Sequence, residues 1–482
     1  MTLFEGVFMS GLYAAFITYL IVLFLVAIYA NIRTKSMSDF AIGGRSISSP
    51  VAALSAGASD MSGWLLLGLP GAIYLSGLVE LWIVFGLVVG ALLNWTFVAK
   101  RLRVASVVWG DATSIPHVLR LRVAANGPLL EIVAAVAIVV FFTIYISAGF
   151  IAGAKLFESV FDLDYTWALL LGAFIVLCYT ALGGFLAVSW TDTFQALLMM
   201  LVLVLVPVLA FSVGSPSENL NTTTPPVWDA GAYGVLSVIG LLAWGLGYFG
   251  QPHILKRFMA LKNPDDARVA RTIGMSWMVI SCLGAVAVAY AGLHLLPRIE
   301  DEETILIKLS EILLNPWIAG IVIAAIMAAA MSTVDSQLMV ITTSIVNSRW
   351  LSDRTALFVN RVGVIVIGTI ALLLALDPES KIFGTVSLAW AGIGASIGPC
   401  VLFSLFYRKT TGTALISGIL VAIVVVPIWK ELLSGGIFDV YALLPAFLLS
   451  SLVIWIVSRL WPDELAQARF DEFRKRVGSS PT

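Results

Sequence analysis

Charged side chains account for only 12% of this 482-residue sequence, about half the ~25% of an ordinary soluble domain. With 28 Lys and Arg against 29 Asp and Glu, the formal charge is −1. No basic excess is left to hold nucleic acid. Histidine and cysteine are rarer still, three of each. Cys178, Cys282 and Cys400 all fall inside apolar runs, which excludes a disulfide framework or a thiolate metal site. His117, His253 and His294 stand apart from one another near the ends of such runs, where a satisfied structural role is expected. No phosphate-cradling glycine loop, nucleophile elbow or metal-ligand cluster is present. Neither enzymatic chemistry nor an organic cofactor is expected.

What fills the sequence instead is hydrocarbon: hydrophobic residues make up 60%, and mean hydropathy is +0.99. Stretches of about 20 apolar residues suffice to cross a bilayer. Thirteen occur, near 7–30, 49–76, 79–99, 129–154, 165–184, 188–213, 231–250, 271–297, 316–346, 356–376, 383–407, 412–429 and 440–461. They predict an all-α polytopic membrane protein with 13 transmembrane helices and no segment able to form a separate soluble domain. Twenty-three of the 28 Lys and Arg follow the first, third, seventh, ninth and eleventh runs or lie in the tail. The other five, Lys155, Arg298, Lys308, Lys381 and Lys430, fall on the opposite side with the acidic cluster Glu300, Asp301, Glu302 and Glu303. The positive-inside rule then places the N-terminus outside and the C-terminus in the cytoplasm.

The first run lacks a basic leader and a small-residue cleavage site, so it reads as a retained helix. Residues 101–128 read as a cytoplasmic interfacial segment and 214–229 as an outer loop, where Asn221-Thr-Thr is a chance match to a glycosylation pattern. Residues 463–482 read as a short charged tail, partly disordered.

Two of the runs are interrupted. In Gly57-Ala-Ser-Asp60-Met-Ser-Gly63-Trp64 a carboxylate sits near mid-span between two glycines. Such a charge costs about 2.5–3.5 kcal/mol at bilayer depth and is seldom incidental. The glycines weaken the helix where carbonyls can turn toward a ligand. The second interruption, Trp244-Gly-Leu-Gly-Tyr248-Phe-Gly-Gln251-Pro252, ends on a proline that lacks its N–H. It lies five runs after the first. Paired breaks at corresponding positions point to inverted repeats. The spacing predicts a 5+5 repeat, 49–213 and 231–407, with an extra helix at 7–30 and two more within 412–461, all in one domain over 1–462. Exposed half-helix ends suit a zwitterion, and Trp244 and Tyr248, one turn apart, can wall its apolar part. The plainer alternative is that these glycines and aromatics serve close helix packing.

The ninth run adds a polar face. Ala329, Ser332, Thr333 and Ser336 share one side of a helix, and their hydroxyls and carbonyls, joined to carbonyls of the 57–64 break, offer Na⁺ a hard oxygen shell. Hydroxyls that merely bond back to their own helix are the alternative. Asp335 is a second intramembrane carboxylate. Asp192, opening the sixth run, is either a carboxylate favoured near a helix N-terminus or part of an ion exit.

These stretches resemble the sodium:solute symporter family, and within it the bacterial members that carry proline. The resemblance rests on Leu54–Trp64, Gly183–Thr193 and Trp244–Leu255, with Gly43–Ser46, Phe141–Tyr145 and Asn315–Gly320 in support, and extends from residue 38 to about 460. It implies a leucine-transporter-type fold. It also implies a sodium site built from the carbonyls of Ala58, Met61 and Ala329 and the hydroxyls of Ser332 and Thr333. Asp60, Arg45 and Asp192 match positions tied to ion coupling. Ser62, Gly63, Tyr145, Trp244, Tyr248 and Pro252 match the substrate side. Asp335 departs from the small polar residue of some members, and with Asp192 and Ser336 it would make a second cation site.

The expectation is therefore a secondary active transporter of the bacterial cytoplasmic membrane, monomeric, coupling inward Na⁺ movement to L-proline uptake by alternating access. Its partners would be Na⁺, L-proline and the lipid bilayer. The rivals are a Na⁺ symporter for another small solute, such as another amino acid or a monocarboxylate, and a solute-sensing receptor, for whose signalling domain the short tail leaves no room. A channel is disfavoured by the lack of a pore-lining charge ring. Proton coupling through Asp60 and Asp335 stays open beside sodium.

Overall fold

The computed structural model of the chain describes residues 3–34, 36–182, 184–213, 234–296, 299–345, 352–433 and 435–479. The outer loop 214–229 with Asn221, and Arg298, lie outside the described residues. Among the described residues the chain is helical throughout, apart from turns and one bridge between Ile47 and Leu261.

In chain order the helices are α1 (Leu3–Arg33), α2 (Ser49–Asp60), α3 (Trp64–Ser76), α4 (Leu78–Val108), α5 (Ile115–Arg122), α6 (Gly127–Phe161), α7 (Tyr165–Leu182) and α8 (Phe185–Val213). Then follow α9 (Val235–Gly250), α10 (Pro252–Ala260), α11 (Ala267–Leu295), α12 (Ile305–Leu313), α13 (Pro316–Ile345) and α14 (Asp353–Leu374). The last are α15 (Ile382–Phe406), α16 (Gly412–Glu431), α17 (Leu443–Leu460) and α18 (Glu464–Ser479). Ten helices among the described residues are long and apolar enough to cross a membrane, and the bent pair α9–α10 adds an eleventh candidate. Two shorter apolar helices, Trp64–Ser76 and Tyr165–Ala181, occupy the remaining predicted runs.

Both predicted interruptions are breaks. At the first, α2 stops as Met61 leaves helical geometry (φ −86°, ψ 76°). The Ser62 N–H turns to the Asp60 carbonyl (3.1 Å), and the chain resumes with a wide turn over Trp64–Gly68. At the second, Ala243–Gly250 is wound tightly, Gln251 is extended and Pro252 starts α10 at a 45° bend. Proline at the first helical position loses no bond, because its N–H would be unpaired there anyway. Close packing also draws on the glycines: a Cβ on Gly90 would lie 2.2 Å from the Gly245 carbonyl oxygen. There α4 and α9 meet backbone to backbone.

The centre of the molecule is α13, in which every residue from Val322 to Ser344 is buried. A helix buried all round lies inside a bundle rather than at the lipid boundary. It packs on α1, α6 and α8 and reaches α2.

The structure corrects the expectation for the tail. Residues 464–479 form a helix whose Ala466, Phe470 and Phe473 are buried, rather than a partly disordered segment. Asp463 caps it by accepting from the Ala466 N–H (3.0 Å) and joins it to the α5–α6 turn through the Ala124 and Ala125 N–H groups. Arg122, fully buried, donates to the carbonyls of Ser404, Ala466, Tyr407 and Arg408. The apolar face of the tail helix has a surface to bury against, and this outweighs its high charge.

Candidate ion and solute site

The polar face of α13 meets the break after α2. Ser332 Oγ donates to the Ala58 carbonyl at 2.8 Å and reaches the Ala329 carbonyl at 3.2 Å; Thr333 Oγ1 donates to the same Ala329 oxygen at 3.4 Å. The Ala58 carbonyl is available because the Ser62 N–H has turned away to Asp60. Met61, the next residue after Asp60, is 1% exposed. Four of the five expected shell residues are thus tied together by hydrogen bonds, and Met61 adjoins them. The arrangement supplies neutral oxygens only, which hold a cation without a fixed charge to trap it.

Asp60 itself faces the other break. The Tyr248 hydroxyl donates to its carboxylate in a short hydrogen bond, and the Tyr248 carbonyl accepts from Asn94 Nδ2 at 2.9 Å. One carboxylate therefore links the two interrupted helices. The cavity beside them, between Asp60, Met61, Tyr248 and Trp277, measures only about 20 Å³. That is room for about one water molecule. The Gly57 backbone lies against Trp277, whose ring carbon would be 2.7 Å from a Cβ there.

The substrate-side residues are all buried, but their surroundings differ. Trp244 stacks on Tyr441 (4.9 Å, 15°) and on Phe383 (5.4 Å), with Trp64 at 6.2 Å and Trp390 at 6.5 Å. Its carbonyl accepts from Trp390 Nε1 at 2.9 Å. Trp244 is the hub of an aromatic cluster, and Tyr248 meets that cluster edge-on at Trp390. Tyr145 is 1% exposed with its hydroxyl unpaired. Ser62 Oγ accepts from the Trp64 N–H at 3.3 Å, Gly63 lies against Ala152, and Pro252 opens α10.

Asp192 differs from one of its two expected readings. It lies seven residues inside α8 and fully buried, so it is not a carboxylate at a helix start. Arg257 of α10 donates to it (2.9 Å), to Ser336 Oγ (2.5 Å) and to Ser55 Oγ (3.0 Å), while Ser55 donates to Asp192 at 2.7 Å. A guanidinium thus joins Asp192 to Ser336, two of the three residues expected to form a second cation site. Asp335, the third, is fully buried with both carboxylate oxygens unpaired. Arg257 and Lys256 are among the basic residues that follow the seventh apolar run, where charge alone suggests a cytoplasmic loop, but both are at most 2% exposed. The missed signal is Pro252, which restarts a helix and carries the span further. Arg45 lies away from this group, donating to Asp111 (2.9 Å), Ser106 and the carbonyls of Met259 and Ala112.

A further ion network lies on the side of the acidic cluster. Lys155 pairs with Asp301 (2.7 Å) and Glu303 (2.8 Å), and Glu303 accepts from the Ile382 and Phe383 N–H groups at the start of α15. Burial pushes the Asp301 carboxyl up, but Lys155 and Lys381 outweigh it and hold the group below its ordinary range.

Comparison with known proteins gives the family. The profile of the sodium:solute symporter family matches residues 40–422. The chain belongs to the sodium:solute symporter family. This family member is 42% identical to the sodium/proline symporter of Salmonella typhimurium and 41% identical to that of Escherichia coli, each over 97% of both chains. It is 41% identical to a high-affinity proline transporter of Bacillus subtilis over 93% of this chain and 98% of the relative. Among solved structures, a Na⁺-coupled sialic acid symporter in a substrate-bound outward-open state superposes with a TM-score of 0.79 at 20% identity. That match covers 94% of this chain and 98% of the other. A nucleobase-cation-symport-1 family transporter matches at 0.57 and 13% identity, over 90% and 98%. These two likenesses concern the fold alone. The sodium:solute symporter described here is thus a secondary transporter rather than an enzyme, with Na⁺ as its coupling ion.

Proposed function

We infer that this protein carries L-proline into a bacterial cell across the cytoplasmic membrane, driven by Na⁺. One observation carries the substrate: about two-fifths identity, end to end, with sodium/proline symporters of two bacteria. In this reading the chain crosses the membrane 13 times, with α1 preceding a 5+5 inverted repeat (49–213 and 231–407) of the leucine-transporter type and 412–461 following it. Na⁺ sits among the Ala58, Met61 and Ala329 carbonyls and the Ser332 and Thr333 hydroxyls. The hydrogen bonds that now join these oxygens support that assignment, since the ion replaces the shared protons as their common partner.

Proline binds between the two breaks, near Ser62, Gly63, Tyr145, Tyr248 and Pro252, with Trp244 as one wall. The cavity beside the breaks has room for only about one water molecule, so proline binding requires the broken helices to part. Asp60 couples the events, because it bonds Tyr248 of one break while its neighbours Ala58 and Met61 hold the ion. Arg45, Asp192, Asp335 and Ser336 act on the ion's inward side. A membrane potential of roughly 100 mV contributes about 2.3 kcal/mol per Na⁺, and a roughly tenfold gradient about 1.4 kcal/mol. One ion per proline then supports accumulation of roughly several hundred-fold.

The test is competition. Uptake of labelled proline into proteoliposomes is expected to be blocked by unlabelled proline well below the concentrations needed of other amino acids or monocarboxylates. Weak competition by proline would assign another substrate.

A further inference from the structure

Helix α1 carries a polar group into the apolar interior that the ion and solute site does not use. Rings hold this helix to α6: Tyr13 stacks on Phe161 (5.3 Å), and Phe16 meets Phe157 edge-on (5.8 Å). Tyr19 lies one turn beyond Phe16 and is 5% exposed, between α8 and α13. Its hydroxyl accepts from Gln195 Nε2 of α8 at 3.0 Å and donates to Met331 Sδ of α13 at 3.9 Å. Gln195 is fully buried, and among the described residues its Oε1 is unpaired.

Both partners adjoin the proposed ion machinery. Met331 immediately precedes Ser332, whose hydroxyl donates to the Ala58 carbonyl at 2.8 Å. It also lies one turn before Asp335 on the same face of α13. Gln195 lies one turn after Asp192 on the same face of α8. The charges of Asp335 and Asp192 both act on the Tyr19 hydroxyl. One hydroxyl from α1 thus ties α8 to α13 beside the ion-coupling residues of each. Hydrogen bonds between membrane helices are weak as glue, and a thioether is a poor acceptor. Stability alone therefore does not explain a tyrosine here. We propose that Tyr19 is a positioning residue for the ion site: its hydroxyl fixes Met331 against α8 and so sets the reach of Ser332 toward the Ala58 carbonyl. This rests on the sodium site proposed above, and it makes α1 a working part of the coupling machinery.

The test uses labelled proline uptake by the purified full-length protein in proteoliposomes, titrated with Na⁺, together with its melting temperature. Tyr19→Phe removes only the hydroxyl. The Na⁺ concentration for half-maximal uptake should rise about fivefold, which corresponds to about 1 kcal/mol. The proline KM at saturating Na⁺ and the melting temperature should stay near the wild-type values. Gln195→Leu removes the donor and should reproduce the shift, which keeps the test valid if Tyr19→Phe folds poorly. In a Ser332→Ala background the Tyr19→Phe change should add nothing, because the residue it positions is gone. A lowered melting temperature with an unshifted Na⁺ titration would make Tyr19 a packing contact and overturn the proposal. So would a full fivefold effect added on top of Ser332→Ala. An unchanged Na⁺ titration in Ser332→Ala alone would remove the sodium site and this proposal with it, whereas a shift there without one in Tyr19→Phe or Gln195→Leu would overturn only the role of Tyr19.

Discussion

At the scale of single residues, the proposed function rests on a few oxygens and one ring. Ser332 is the clearest case, because its hydroxyl is the link between α13 and the broken end of α2. Removing it in Ser332→Ala strips one ligand from the proposed ion shell and leaves the Ala58 carbonyl without its donor. A hydrogen bond to a charged group is worth about 1.5–3 kcal/mol. The Na⁺ concentration for half-maximal uptake should therefore rise roughly tenfold or more. The proline KM at saturating Na⁺ should stay near the wild-type value; titrating uptake against Na⁺ checks both.

Trp244 calls for a different expectation than its sequence position suggested. Spacing from Tyr248 placed it as a pocket wall, whereas its ring is enclosed by Tyr441, Phe383, Trp64 and Trp390. Trp244→Ala should lower stability by about 3–5 kcal/mol, the usual cost of such a cavity, as well as weaken proline binding. A melting temperature equal to that of the wild type would reduce Trp244 to a wall alone. None of its four neighbours was identifiable from sequence, since three of them lie over 130 residues downstream.

At the scale of elements, the breaks were legible because glycine, proline and an apolar-run carboxylate leave local marks. The polar face of α13 was legible for a similar reason, being a helical repeat. What followed the second break was not. Pro252 marks where a helix stops and equally where one starts, and positive charges at Lys256 and Arg257 favoured a loop. Their partners are remote: Asp192 lies 65 residues from Arg257, and Thr343 lies 87 residues from Lys256.

The tail helix was missed because its composition is that of a solvated segment; only Arg122 and the surface around it, far away in sequence, make its three apolar residues worth burying. Asp463 governs that docking. Burial raises its carboxyl, but the N–H groups of Ala466, Ala125 and Ala124 together with Arg469 hold it below the ordinary range. A lowered value means the stabilisation is fully present above the unfolded value of about 3.9 and is lost as pH falls through the folded one. Protease cleavage in 464–479 should therefore stay slow at neutral pH and rise below about pH 4. Asp463→Asn should show the faster cleavage already at pH 7.

At the scale of the whole molecule, two separate groups of charges fasten helices to one another. Lys155, Asp301 and Glu303 fasten the start of α15, and Arg257 fastens α10 to α8 and α13. Alternating access requires such contacts to break in turn while the proposed ion shell between α2 and α13 forms and dissolves. Composition alone announced a polytopic bundle. The meeting of the α13 polar face with the first break was legible from the residues, whereas the particular pair Ala58 and Ser332 was reachable only through the resemblance to a family.

Coupling to Na⁺ is the central claim, and the buried carboxylates Asp60 and Asp335 make protons the serious alternative. The decisive measurement is labelled proline uptake into proteoliposomes driven separately by an inward Na⁺ gradient and by an inward proton gradient of equal size. Accumulation with the Na⁺ gradient, and none above background with protons alone, is the predicted result. Accumulation under the proton gradient in the absence of Na⁺ would contradict it.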